Sequence, residues 1–131
     1  MSAPQFFTLD PNATRATLSS DLVMAGPIGF VSGVLPVDLA NDRAALAEPV
    51  EGQTRQILAN LETILRPHAM TRMHVVSVRV HVVQFERFHE RVNTACAGFF
   101  AAGRQPARSL MGIDQLPRGA LVSMDFIVSL Y

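Results

Sequence analysis

Two segments of the chain alternate apolar and polar residues, and each predicts a β-strand. The clearest one alternates valines with polar residues over Val76, Ser77, Val78, Arg79, Val80, His81 and Val82. In the last strand, predicted over Leu121–Tyr131, Val122, Met124, Phe126, Val128 and Leu130 alternate with Ser123, Asp125 and Ser129. A period of two places successive side chains on opposite faces of a sheet, so both strands have one apolar face and one mixed face.

Two other segments have the period of an amphipathic helix. The first stripe consists of Val50, Thr54, Ile57, Leu58, Leu61, Ile64 and Leu65, and Pro67 ends the helix. The second consists of Phe85, Phe88, Val92, Ala95 and Phe99, and Gly103 ends it. Each helix therefore has a single apolar face, which we expect to pack against one layer of sheet.

Shorter strands complete the predicted sheet. Residues 5–9 predict a first strand, and Asp21–Ala25 pairs with Ile28–Ser32 as a hairpin through Gly26 and Pro27. Gly33 is expected to end that hairpin. A further strand over Arg108–Ile113 follows Pro106, and a turn over residues 114–119 leads to the last strand.

These elements predict an α+β fold in which two helices cover one face of a mixed sheet of about six strands. The 131 residues form one domain over 1–131, long enough to bury roughly two thirds of the unfolded surface. Hydrophobic residues make up 49% and charged residues 17% of the chain. Either partner subunits cover part of the surface, or the core is unusually well filled.

Charge and cysteine content exclude several classes of protein. The net charge is zero and no cluster of Lys and Arg stands out, which argues against nucleic-acid binding. Cys96 is the only cysteine, so no internal disulfide forms. The longest uncharged run, residues 22–37, is interrupted by Gly and Pro and is too short to span a membrane. The N-terminus has no signal-peptide pattern, so we expect a soluble, cytoplasmic protein.

Arg108 is the first candidate binding residue. It follows Pro106 at the start of a predicted strand, and a guanidinium on a rigid element matches a carboxylate with two parallel hydrogen bonds. A structural ion pair is the alternative explanation for this arginine.

Four segments together resemble the reactive-intermediate deaminase family (RidA, YjgF-like, also labelled L-PSP endoribonucleases). They are the Pro106–Ser109 segment with Leu116–Val122, the Phe30–Gly33 segment with Leu35–Pro36, the Gln53–Gln56 segment with Asn60–Leu61, and Phe88 with Val92–Asn93 and Phe99–Phe100. The order and spacing of these segments resemble the family from about Leu22 to Val128.

The resemblance implies a fold, an assembly and an activity. The fold is a chorismate-mutase-like two-layer sandwich, assembled as a homotrimer whose sheets face inward and whose ligand clefts lie between subunits. Members of the family hydrolyse enamines and imines of 2-keto acids to the keto acid and ammonia without a cofactor. The implied partner is therefore a small carboxylate substrate.

The resemblance also implies roles for individual residues. Arg108 matches the arginine that holds the substrate carboxylate, and Ser32 and Gly33 match the backbone segment that lines the site. Asn93 matches an asparagine near the site on the second helix, although an amide at that position also supports a helix end.

The chain departs from the family pattern at three positions. Ser123 replaces the glutamate that donates a proton, Ser19 falls near a family tyrosine, and Leu110 replaces a residue that is often cysteine. Ser123 is not an acid near neutral pH, but its hydroxyl can hold a water molecule for attack on an imine. Asp125 points to the same face about 6.6 Å further along. It is either a displaced acid–base group or the structural partner of Arg79 or Arg118.

No other chemistry is indicated. The four histidines are not spaced as metal ligands, and no nucleophile motif or glycine-rich phosphate loop is present. We therefore weigh an enamine or imine deaminase, with an altered substrate because Ser123 stands in place of the glutamate, against a non-catalytic, carboxylate-binding or chaperone-like trimer, which the loss of the glutamate favours. Zero net charge argues against the third hypothesis, an RNA-cleaving protein.

Overall fold

The computed structural model describes residues 3–13, 16, 18–39 and 47–131. This part of the chain contains six strands and two α-helices. In chain order they are β1 (Gln5–Phe7), β2 (Leu22–Ala25), β3 (Ile28–Val34), α1 (Val50–Leu65), β4 (Val75–Val83), α2 (Phe85–Cys96), β5 (Ala107–Ile113) and β6 (Val122–Ser129). Short 3-10 turns occur at Arg66–His68, Arg72–His74 and Pro117–Gly119.

The six strands form one mixed sheet in the order β1-β2-β3-β6-β4-β5. Every neighbouring pair is antiparallel except β4 and β5, which are parallel and joined through α2. The predicted α+β class is confirmed. Because β4 lies between β5 and β6, the two strands on either side of the 114–119 turn do not pair with each other.

Both helices pack on the same face of the sheet, where the core lies. The apolar stripe of α1 is buried from Val50 to Leu65, as its period predicts, and Phe88 and Val92 of α2 join the same core. The sheet supplies alternate residues of β4 and β6 to it, among them Val80 and Met124, which are almost completely buried. Each large apolar side chain buried here contributes about 1.5–3 kcal/mol, so this layer fixes the position of both helices.

In the described part of the chain both helices lie on one face of the sheet and none covers the opposite face, which we call the open face. Several large apolar side chains are exposed there although the face also carries polar groups. Those on β1, β3 and β5 are Phe6, Phe30, Met111 and Ile113. No helix in the described part of the chain is long and apolar enough to cross a bilayer.

The prediction that Val76 shares the apolar face of β4 is wrong. The pairing of β4 with β6 shifts register between Val75 and Ser77, so one extra residue is accommodated there. Val75 is 4% exposed and belongs to the core, whereas Val76 is 44% exposed. The one-residue shift places Val75, and not Val76, on the core face of the strand. From Ser77 to Val82 the alternation follows the prediction.

Helix α2 is shorter than predicted. It ends at Cys96 and not near Gly103, because Ala97 leaves the helical conformation and Gly98 has a φ of 82°. Phe99 still packs against the core, but from a loop in which its ring lies edge-on to that of Phe100 at 4.9 Å. The Arg72 guanidinium holds this loop by donating to the Phe99 carbonyl at 3.0 Å.

Candidate functional site

Arg108 lies near the start of the edge strand β5, on the helix side of the sheet. Parallel pairing places it opposite Val78, a core residue of β4. Its Nη2 donates to Asn93 Oδ1 of α2 at 2.8 Å. Asn93 therefore orients the guanidinium, which also interacts with the Cys96 thiol, and its planar fork has further N–H donors for an anion.

The Arg108 side chain borders a cavity of about 380 Å³ between the helices and the sheet, which we call the arginine cavity. Its walls are mainly apolar, with polar groups near the arginine. The lining residues that matter here are Leu58, Val78, Val80, Asn93, Cys96, Phe100, Arg108 and Met124. A cationic group beside an apolar cavity fits a small carboxylate with a carbon chain.

Cys96 also lines the arginine cavity, and its surroundings decide its chemistry. Burial raises the pKa of its thiol, and the nearby Arg108 guanidinium opposes that rise only in part. The thiol therefore stays protonated near neutral pH, and Cys96 acts as a wall of the cavity and not as a nucleophile.

The segment Ser32–Gly33 is organised by Asp125 on the open face. The Asp125 carboxylate accepts from the Gly33 backbone N–H at 2.7 Å and from Ser32 Oγ at 3.2 Å. Gly33 has a φ of 65°, and the register of β3 with β6 shifts between Val31 and Val34. The prediction that Gly33 ends the strand is wrong, because β3 accommodates a bulge there and continues to Val34.

Asp125 therefore has a structural role, as one of the two predicted alternatives holds, but its partners are Ser32 and Gly33 and not Arg79 or Arg118. It lies opposite Arg79 in the β4–β6 pairing, but its recorded hydrogen bonds go to β3. Both hydrogen bonds go to Oδ1, so the carboxylate is held against β3 through that oxygen.

Ser123 lies on the open face of β6 and is 5% exposed. Its hydroxyl makes no hydrogen bond to any residue in the described ranges, which is unusual for a buried polar group. It lines a cavity of about 220 Å³, the open-face cavity, together with Gly33, Leu35, His81, Ile113, Leu116, Pro117 and Asp125. A buried hydroxyl without a protein partner beside a cavity is suited to bind water or a ligand atom.

Ser19 and Leu110 occupy different surroundings. Ser19 lines a third cavity of about 470 Å³ that also contains Ser32, Gly33 and Arg118, so it is adjacent to the open-face cavity. Leu110 is partly buried against the hydrophobic core and lines none of these three cavities. The structure thus brings Ser19, Ser32 and Gly33 together but leaves Leu110 apart.

Apart from Leu110, the predicted site residues fall into two groups on opposite sides of the sheet. Arg108 and Asn93 border the arginine cavity on the helix side, whereas Ser32, Gly33, Ser123 and Asp125 lie on or beside the open face. One small ligand within one chain does not reach both groups. His81, which sequence reasoning assigned no role, belongs to the second group. Its signal in the sequence was its alternation with the valines of β4 on the same face as Ser123.

Within the described residues, no group of three or more His, Cys, Asp or Glu side chains is arranged to hold a metal ion.

Comparisons with known proteins agree on one family. Residues 10–130 match the family model described as endoribonuclease L-PSP. The RutC family protein y4sK of Sinorhizobium fredii is 33% identical over 111 residues, which are 85% of this chain and 86% of that protein. The 2-iminobutanoate/2-iminopropanoate deaminase of Dermatophagoides farinae is 25% identical over 109 residues, 83% of each chain.

A solved structure gives the same result for the fold. The protein YyfA of Yersinia pestis, described as a member of the conserved Rid family of unknown function, superposes with a TM-score of 0.84 at 26% identity. The superposition covers 97% of this chain and 99% of that one.

Proposed function

Since the chain belongs to the YjgF/RidA-like family that is also called endoribonuclease L-PSP, we propose that it is a cofactor-independent deaminase. It hydrolyses a 2-imino acid, or the enamine tautomer, to a 2-keto acid and ammonia. The name of the Dermatophagoides farinae relative supports this substrate class. The observation that carries the proposal is the Arg108 guanidinium, oriented by Asn93 beside an apolar cavity.

Arg108 binds the substrate carboxylate in this proposal. The bond from its Nη2 to Asn93 fixes the plane of the guanidinium, so the entropy lost on binding is reduced. The alkyl chain of the substrate packs against the apolar wall of the arginine cavity.

Ser123 binds the attacking water in this proposal. Its buried hydroxyl has the open-face cavity beside it and no hydrogen-bond partner among the described residues. Holding a water near an electrophilic imine carbon raises the rate by positioning alone.

The complete site then requires two copies of the chain. Arg108 and Ser123 face opposite sides of the sheet, so Arg108 of one subunit has to meet Ser123 of the next. The proposed assembly is a homotrimer in which the open faces are buried, which supplies a cover for the exposed Phe30, Met111 and Ile113. Sedimentation at the mass of three chains is the expected result, and a monomer would contradict it.

A second candidate function is a non-catalytic carboxylate-binding trimer on the same scaffold. It is favoured by the pair Ser123 and Asp125, since the first is not an acid and the second is bonded to β3.

Cytoplasmic location stays a prediction, supported by the lone Cys96.

The test generates 2-iminopropanoate and 2-iminobutanoate in situ with an amino-acid oxidase and follows the release of ammonia and keto acid. The wild-type protein is expected to accelerate release over buffer. Arg108→Ala is expected to lose at least tenfold in kcat/KM, because a charged hydrogen bond to the carboxylate contributes about 1.5–3 kcal/mol. Arg66→Ala, at the exposed C-terminal end of α1, is the matched control and should keep the wild-type rate.

Two other results would distinguish between the proposed functions or test the role of Arg108. Binding of 2-oxobutanoate that depends on Arg108, without acceleration, would favour the binding protein. Acceleration that survives Arg108→Ala would exclude Arg108 as the carboxylate anchor.

A further inference from the structure

His81 lies directly opposite Ser123 in the pairing of β4 with β6. Both residues line the open-face cavity, together with Gly33 and Asp125. Since Cα partners in a sheet project to the same face, the imidazole and the hydroxyl are neighbours on the open face.

The His81 ring has no competing structural bond. It is half-buried and makes no hydrogen bond to any residue in the described ranges. Two other histidines differ in this respect: His89 contacts the Phe85 carbonyl at 2.8 Å and His74 accepts from the Thr71 N–H at 3.0 Å. Of these three, His81 lines the open-face cavity and its ring nitrogens make no hydrogen bond to the described residues.

The chemistry at this position needs a group that both accepts and donates protons. Ser123 does not do so near neutral pH, and the Asp125 carboxylate is bonded to Gly33 and Ser32. Imidazole is the side chain used most often for such transfers near neutral pH.

We infer that His81 is the acid–base residue of the deaminase. His81 and Ser123 together then replace the glutamate carboxyl group that the family pattern has at position 123. The inference rests on the proposed function. In this arrangement Ser123 and the imidazole of His81 hold the water, and the carboxylate of the substrate is bound by Arg108 of a neighbouring subunit.

The two chemical steps balance through His81. In the first, the water oxygen bonds to the imine carbon, the π pair of the C=N bond moves to nitrogen, His81 takes one proton from the water, and this proton passes to the nitrogen. The product is a carbinolamine with one hydroxyl and one amino group. In the second, His81 takes the proton of the hydroxyl group and passes it to the amino nitrogen. The O–H electron pair forms the C=O bond, the C–N bond breaks, and its electron pair leaves with nitrogen as ammonia, so His81 ends the cycle in the state in which it began.

Charged side chains lie near His81 on both β4 and β6. Arg79 precedes it by two residues on the same face of β4, and Asp125 lies beside it on β6. From β5 it faces Met111, which carries no charge. Asp125 and Arg79 are therefore the charged neighbours of His81 on this part of the open face.

The experiment compares the wild-type protein with His81→Phe, His81→Gln and the double variant His81→Phe/Ser123→Glu, using ammonia release from 2-iminobutanoate over a range of pH. His68→Phe is the control, since that imidazole lies against Phe7 at the far edge of the sheet, with the ring centroids 4.3 Å apart and the rings tilted by 57°, and a phenyl ring keeps the contact. We expect His81→Phe and His81→Gln to lose about a hundredfold in kcat, as is typical for removal of a general acid or base. Retained folding is checked by circular dichroism and by Arg108-dependent binding of 2-oxobutanoate.

The double variant tests whether His81 acts chemically, because a purely structural role of His81 does not predict rescue by a carboxyl group at position 123. A carboxyl at position 123 is expected to restore most of the lost rate and to move the pH profile to the acidic side, because carboxyl groups ionise at lower pH than imidazole. A wild-type rate in His81→Phe, or a double variant as inactive as His81→Phe with an unchanged profile, would overturn the role of His81 while leaving the deaminase in place. Failure of the wild-type protein itself to accelerate release would overturn both.

Discussion

Arg108 and Ser123 lie on opposite faces of one sheet, although each belongs to a strand that pairs with β4. Arg108 is the partner of Val78 and faces the helices, whereas Ser123 is the partner of His81 and faces away from them. The faces of β4 alternate, and Val78 and His81 are an odd number of residues apart, so the two partners point in opposite directions. The chain therefore presents two half-sites on two surfaces.

Asp125 is expected to contribute to stability through β3. Asp125→Ala leaves the Gly33 N–H and the Ser32 hydroxyl without their shared acceptor, and we expect a loss of about 1–2 kcal/mol in the free energy of unfolding. Urea denaturation measures it, with Asp114→Ala in the exposed turn after β5 as the matched control. Equal stability of the two variants, with activity lost only in Asp125→Ala, would show instead that Asp125 acts on the substrate.

Gly33 and Gly29, both on β3, are expected to resist substitution for different reasons. A Cβ at Gly33 meets no atom within 4 Å, but the φ of 65° costs an ordinary residue about 1–2 kcal/mol. A Cβ at Gly29 would lie 2.6 Å from Met24 Sδ and 2.7 Å from Val128 Cγ2, so crowding sets its cost.

The two explanations are separated by comparing alanine with asparagine at each glycine. Because asparagine tolerates the left-handed conformation, Gly33→Asn should be more stable than Gly33→Ala. Gly29→Asn should be less stable than Gly29→Ala, since it adds more atoms to a crowded position. The same order of stability at both sites in thermal unfolding would contradict this distinction.

Cys96 is expected to titrate above the ordinary range of a thiol. Burial raises its pKa and the Arg108 guanidinium lowers it, so Arg108→Met should move the pKa further upward. The ultraviolet absorbance of the thiolate, followed against pH in both proteins, measures these values. A wild-type pKa below that of free cysteine, or a downward shift in Arg108→Met, would contradict the assigned surroundings.

The sequence predicted those parts of the fold that depend on neighbours along the chain. The stripe of α1 repeats with the helical period and matches the buried residues of the structure. In β6 the predicted apolar residues from Val122 to Val128 are buried, but the prediction is wrong for Leu130, which lies beyond the end of the strand at Ser129 and is 48% exposed. The position of Arg108 at the start of a strand followed from Pro106 in the same way.

The parts that sequence reasoning missed depend on distant partners. The bulge at Gly33 is held by Asp125, ninety-two residues away, and the bulge at Val76 exists only relative to β6. Phe99 keeps the helical spacing of α2 but packs from a loop, so periodicity alone placed the end of that helix too late. The face on which Arg108 lies was decided by its parallel pairing with β4, which also separated it from Ser123.

Mixed oligomers test the central claim, a deaminase site shared by Arg108 of one subunit and Ser123 of another. Arg108→Ala removes the carboxylate anchor, and Ser123→Leu fills the open-face cavity. Each variant alone is expected to lack acceleration of 2-iminobutanoate hydrolysis. Co-expressed in equal amounts, they are expected to regain about a quarter of the wild-type rate, because about a quarter of the interfaces then join an intact Arg108 to an intact Ser123. Mixed oligomers as inactive as either parent would contradict the shared site.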